Sequence, residues 1–253
     1  MDEVNKKMEI RQVSKTFFSK KGYFTAIKDV SFDVRDGEFL VILGPGHCGK
    51  TVLLNIISGL DQQTGGEVLY DGKAMDGVNI EISMVFQKLA LMSFKNTMQN
   101  VELGLKFRRM PKKDRRVIAQ KYIDLVGLTG IEKSYPYQLS GGMKQRVGIA
   151  RAYANDPKVL IMDEPFGQLD AQTRYSMQEE LLKTWEKDRR TVVFVTNNIE
   201  EAVFLGDRIV LLSECPAMVK EIYPVDLPKP RDMTSEAFLA LRKKISNNTD
   251  LAI

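Results

Sequence analysis

Five apolar residues, FLVIL (39–43), run directly into the turn GPGHCGKT (44–51), and the chain continues as TVLLNIISGL (51–60). A short, wholly apolar run that ends in glycines fits a strand buried on both faces, and the apolar stretch after the turn fits a buried helix. This succession of strand, tight turn and helix constrains the fold more than any other stretch of the chain. The turn satisfies G-x-x-x-x-G-K-[ST]. Its glycines let consecutive backbone N–H groups curl around phosphate oxygens, with the dipole of the following helix aimed at them. In that role Lys50 bridges the β- and γ-phosphates and the Thr51 hydroxyl ligates Mg²⁺. The candidate phosphate cradle is therefore Gly44, Pro45, Gly46, His47, Cys48, Gly49, Lys50, Thr51 and Val52. Val52 stands where a second hydroxyl is often found, so one α-phosphate contact is expected to be missing. His47, the one histidine of the chain, reads either as a phosphate contact or as a solvated loop side chain.

The rest of the sequence supplies matching elements. Strands are expected at MEIRQV (8–13), VSFDV (30–34), VLIMD (159–163) and TVVFVT (191–196). Helices are expected at 143–156, at 173–188 and from Ile199 onward. Between about 88 and 140 the pattern turns helical. In KKDRRVIAQKYIDLVGL, residues Ile118, Tyr122, Leu125 and Val126 share one face, and Gly127 is placed to end the helix. Nearly all-apolar strands alternating with helices imply an α/β fold whose parallel sheet is covered on both faces.

Composition narrows the partners. With 253 residues, 43% hydrophobic and 28% charged, the chain can bury a substantial core. A formal charge of +4 is too small for a nucleic-acid footprint. Two cysteines, Cys48 and Cys215, give neither a disulfide framework nor a zinc cluster and fit a reducing compartment. The opening MDEVNKKMEI lacks the apolar core of a secretory leader. Nothing approaches the about 20 apolar residues of a membrane span, so any membrane connection is expected to run through a partner.

VLIMDEP complements the glycine turn. Asp163, at the end of its strand, can hold the Mg²⁺ shell, and Glu164 can accept a proton from an attacking water. An Asp-Glu pair after a strand is weak evidence by itself. A parallel sheet, however, sets strand ends along one edge, which strengthens the reading beside a phosphate loop.

LSGGMKQRVGIARA (139–152) resembles the signature of the ATP-binding subunits of ABC transporters. Other elements of that family follow in order: Gln87 in MVFQK at the Q-loop, Asp170 in GQLD at the D-loop, and Phe17 in VSKTFF at the aromatic that stacks on adenine, with Phe18 as a substitute. The resemblance covers about residues 8–230. It implies a P-loop NTPase (ABC ATPase) fold with a mostly parallel sheet core, an N-terminal antiparallel β subdomain and a helical subdomain inserted at about 88–140. Residues 231–253 remain as a polar tail. It also implies ATP and Mg²⁺ as ligands, with Gln87 joining Glu164 in catalysis and joining Thr51 and Asp163 around the metal. YPYQLSGGMKQRVGIARA, DEPFGQLDAQTR and DLPKPRD are similar to the nitrate, sulfonate, taurine and bicarbonate import branch. Members of that branch work with a periplasmic binding protein, a membrane permease and two ATPase subunits on the cytoplasmic face of the membrane.

Ser140, Gly141 and Gly142 open a helix, a second N-terminal anion site by physical reading and an ordinary Ser cap by the plainer one. The resemblance implies that they act in trans on the γ-phosphate held by a second ATPase subunit. It also implies that the region Gln87–Val101 receives the permease. Leu91, Met92 and Phe94 are docking candidates there, unless they simply pack the helical subdomain. Lys88 and Ser93 replace the usual acidic residue and proline of that loop.

The strand TVVFVT ends in Asn197 and Asn198, where the family has histidine and aspartate. An amide donates to a phosphate oxygen but carries no charge and shuttles no proton. Three readings follow from Asn197: slow hydrolysis with Glu164 as base, a hydrolysis-impaired subunit paired with a competent one, or an ATP-dependent clamp without transport. The transported solute and the choice between homodimer and heterodimer are not encoded in any motif of the chain.

Overall fold

The computed structural model describes residues 5–20, 22–167 and 169–250. The start of the MDEVNKKMEI segment and the last three residues of the tail lie outside them. In chain order the elements are β1 (Lys6–Ser19), β2 (Gly22–Arg35), β3 (Phe39–Leu43), α1 (Lys50–Ile57), β4 (Gly65–Tyr70), β5 (Lys73–Ala74) and β6 (Ile82–Val85). Then follow α2 (Thr97–Val101), α3 (Leu103–Phe107), α4 (Lys112–Leu125), α5 (Gly141–Ala154), β7 (Val159–Asp163) and α6 (Ala171–Asp188). The chain closes with β8 (Thr191–Thr196), α7 (Ile199–Leu205), β9 (Arg208–Leu212), β10 (Val219–Pro224) and α8 (Glu236–Asn248). They form two compact units, residues 1–79 with 189–253, and residues 80–188.

In the first unit β3 lies between β8 and β9, parallel to both, and β10 closes the edge antiparallel to β9. Every residue of β3, β8 and β9 is buried, as continuous apolar runs in a doubly covered parallel sheet require. Arg208 is the exception in character. It opens β9 below the surface because Glu38 and Asp33 take its guanidinium at 3.2 Å each. The second sheet, ordered β2-β1-β4-β5, is antiparallel and alternating. Met8 and Ile10 face the core while Glu9 and Arg11 pair in solvent. Val13 is buried as well, which breaks the two-residue period. A bulge accommodates it: Gln12 turns to φ +50, and Gly66 opposite adopts φ +78, where a Cβ would meet the Gln12 carbonyl at 2.3 Å.

The second unit contains the parallel pair β6–β7 with helices α2 to α6. It is wider than the helical stretch at 88–140, because β6, β7, α5 and α6 cluster with it. In α4 the buried face is Ala119, Tyr122, Ile123 and, just after it, Val126. Of the expected face, Tyr122 and Val126 are buried and Ile118 is half-buried, but Leu125 is exposed and Ala119 and Ile123 take its place. Gly127 does end the helix, at φ +67.

The segment after Asp232 reads as polar, yet α8 buries Phe238 and Ile245 in the first unit. Arg231 secures its approach. It is buried and donates to the carbonyls of Val203 (2.7 Å), Phe204 (3.0 Å) and Gly206 (2.7 Å), the orphan acceptors at the end of α7, and also to Val225 and Leu227. Burial lowers its pKa to about 10, so it stays cationic at neutral pH. Replacing Arg231 with methionine is expected to lower stability by roughly 2–4 kcal/mol, since several buried carbonyls lose their donor at once. Chemical denaturation of the purified variant measures this; a midpoint equal to the parent's contradicts it.

Candidate nucleotide site

The first unit carries the phosphate loop between β3 and α1. Gly44 leaves the sheet where an added Cβ would press on Cys48 Sγ and Leu212 Cβ, both at 3.1 Å. Gly49, at φ +120, caps α1 where a Cβ would meet the Ala26 carbonyl at 2.8 Å. Gly49 is thus set by close backbone approach and its positive φ, whereas a side chain at Gly44 would need its neighbours to give by a few tenths of an ångström. His47 is exposed in the left-handed region at φ +64. Cys48 is buried, and desolvation pushes its thiol up, so it is a packing residue of the loop.

Lys50, only 5% exposed, turns back into the loop and donates to the carbonyls of Gly44 (2.9 Å) and Pro45 (2.7 Å). The N-terminus of α1 has no side-chain cap and no acidic residue in its first turn. An uncapped helix start and an inward-turned ammonium fit a polyanion. Thr51 is exposed and Val52 half-buried on the first turn.

Phe17, 42% exposed, lies on β1 with the Lys15 ammonium 5.1 Å from its ring centroid. Phe18, on the opposite face of the strand, is far more exposed. At the tip of β8 the two asparagines part company. Asn198 caps α7, its Oδ1 accepting from the Glu201 N–H at 3.1 Å. An aspartate would do the same work, so this replacement of the family residue is neutral. Asn197 is exposed, and no described residue hydrogen-bonds its amide.

The second unit carries the acidic candidates. Asp163 ends β7 and is buried. Glu164 follows at φ +43, a left-handed conformation that costs about 1 kcal/mol or more in a residue of this kind. Gln87 Nε2 donates to Glu164 Oε2 at 3.0 Å, so two residues 77 apart in sequence meet. Asp170 caps the start of α6 through the Thr173 N–H (2.9 Å), and this bond draws its carboxyl below the usual range. Ser140 is the cap of α5, accepting from Met143 N–H at 3.2 Å, while Gly141 has open space where a Cβ would stand. Gly142 lies against Leu169 and Thr173.

In the loop after Gln87, buried Asn100 holds Met92 N–H (2.8 Å) and the carbonyls of Met92, Lys95 and Asn96. Met92 and Phe94 are exposed on this braced loop, Phe94 at 73%, while Leu91 is half-buried. Arg151, which no motif singles out, donates to the carbonyls of Leu89 (2.7 Å) and Ala90 (2.8 Å), and burial lowers its pKa.

The family described as ABC transporter matches residues 27–167. The chain belongs to the ABC transporter family. This ABC protein is 48% identical, over 97% of its length and 92% of the relative's, to an ABC transporter ATP-binding protein of Methanocaldococcus jannaschii. It is 40% identical to the aliphatic sulfonates import ATP-binding protein SsuB of Bacillus cereus, over 94% of both chains. Among solved structures, the dimeric ABC transporter cassette MJ0796 aligns with a TM-score of 0.79 at 35% identity, covering 86% of this chain and 98% of that one. A post-hydrolysis state of the same cassette, bound to ADP and Pi, aligns at 0.78. The fold is thus the P-loop NTPase fold of ABC ATPases, and the chain is an ATP-binding, ATP-hydrolysing subunit of a transporter. ABC ATPases dimerise and pair with membrane permease components. No helix among the described residues of this one is long and apolar enough to cross a membrane.

Proposed function

We propose that this ABC ATPase energises an importer of small organic or inorganic oxyanions, with alkanesulfonates as the favoured class, from the inner face of the cell membrane. The likeness to sulfonate import proteins along 94% of the chain supports the solute class. The observation that carries the nucleotide chemistry is the open N-terminus of α1 beside an inward-turned Lys50.

Lys50 and the loop amides hold the triphosphate, and Phe17 stacks on the base. Glu164, held by Gln87, accepts the proton of the attacking water. Thr51, Asp163 and Gln87 would hold Mg²⁺, which neutralises charge on the phosphates. Among the described residues no three His, Cys, Asp or Glu side chains could hold a metal by themselves. Ser140 with Gly141 and Gly142 completes the nucleotide site of a second ATPase subunit, so ATP acts as part of the dimer interface. Met92 and Phe94 receive the permease, and a binding protein outside the membrane delivers the solute to it.

Two measurements test this reading. Glu164→Gln with ATP is expected to run as a dimer on a sizing column and without nucleotide as a monomer; a monomer in both conditions contradicts the interface. A strain lacking the gene is expected to lose growth on alkanesulfonates as sole sulfur source while growing normally on sulfate. Unchanged growth on sulfonates removes that solute class.

A further inference from the structure

The loop that begins at Gln87 is held by the helix that begins at Ser140. Arg151, near the far end of α5, gives Nη2 to the Leu89 carbonyl at 2.7 Å and Nη1 to the Ala90 carbonyl at 2.8 Å. Ala90 takes a left-handed φ of +44, which turns its carbonyl and that of Leu89 to the same guanidinium. Gly148, one turn earlier on α5, lets the loop come close: a Cβ there would stand 3.3 Å from Leu89 Cδ2. Two residues before Leu89, Gln87 holds Glu164 at 3.0 Å. At the other end of the same 14-residue helix, Ser140 is the cap and Gly141 the first helical residue.

A helix of that length is a rod of about 21 Å, rigid enough to carry a displacement from one end to the other. The charge-assisted bonds of a planar guanidinium fork to two carbonyls fix the loop in direction as well as distance, which a lysine cannot reproduce. We propose that Arg151 is a positioning residue that clamps the Gln87 loop to α5, so that seating nucleotide at Ser140 resets the Gln87–Glu164 contact. This rests on the roles proposed above for Ser140, Gln87 and Glu164.

The test is a double-mutant cycle on the full chain with Mg²⁺ and ATP, using Arg151→Met, Gln87→Ala and the pair. Turnover is expected to fall on the order of 10–100-fold in Arg151→Met, the scale on which misplacing a catalytic group acts. ATP affinity stays within about twofold, because the phosphate loop is untouched, and the double variant is no slower than Gln87→Ala. Arg151→Lys keeps the charge and one carbonyl bond, and recovers part of the loss. If Gln87→Ala turns over normally, the role of Gln87 itself is wrong. If Gln87→Ala is slow and the two losses multiply, Gln87 stands and the clamp is refuted. A loss in Arg151→Met that follows its melting temperature, with no recovery in Arg151→Lys, also refutes it.

Discussion

Glu164→Gln is expected to stop ATP turnover, by on the order of 10²–10⁴-fold, while ATP still binds with near-parental affinity. The carboxylate is the group in the second unit that Gln87 addresses directly, and the chain holds its backbone at φ +43. Such strain is retained where position matters to chemistry. Glutamine keeps the shape and a hydrogen-bonding partner for Gln87 but cannot take a proton. Binding is expected to be spared, because the proposal gives the phosphates to Lys50 and the loop amides and not to Glu164. The check is steady-state hydrolysis beside equilibrium binding of ATP. Turnover within tenfold of the parent removes Glu164 as the base; loss of binding as well assigns it to structure instead.

What the sequence announces and what it conceals divide along physical lines. FLVIL, VLIMD and TVVFVT are legible because a strand covered on both faces must be apolar throughout, and all three lie where their runs place them. RIVLL (β9) is equally buried but begins with Arg208, whose burial depends on Glu38 and Asp33 some 170 residues away. No local pattern reveals that pairing. Strand β4, GGEVLY, hides behind two glycines, one of which answers the bulge at Gln12 in another strand. Gln87 and Glu164 were recognisable from motifs. Arg151 and Arg231 lie inside the quoted stretches LSGGMKQRVGIARA and DLPKPRD, but their roles do not show there, because both address backbone carbonyls and a carbonyl leaves no mark in a sequence. Charge alone would have placed each of them on the surface.

Asn197→His is expected to raise turnover by on the order of 10²–10³-fold, the worth of one pre-organised donor at a comparable site. The structure separates the two asparagines that the sequence presents together. Asn198 is occupied as the cap of α7, and aspartate or asparagine serves equally there. Asn197 is exposed at the tip of β8 with no described partner, so its amide has no structural duty that would explain it. An imidazole at that tip adds a donor that can also carry charge near neutral pH, which an amide cannot. Because no packing partner is displaced, stability should be unchanged, so altered turnover reports on the nucleotide site alone. Hydrolysis by the parent, Asn197→His and Asn197→Ala decides among the readings. A silent parent that histidine restores makes this chain the ATP-binding half of a mixed pair. A competent parent, crippled by alanine and indifferent to histidine, shows that an amide suffices at the strand tip. Equal rates in all three remove the γ-phosphate role from residue 197, and the charge stabilisation must then come from Lys50 and the partner's signature helix.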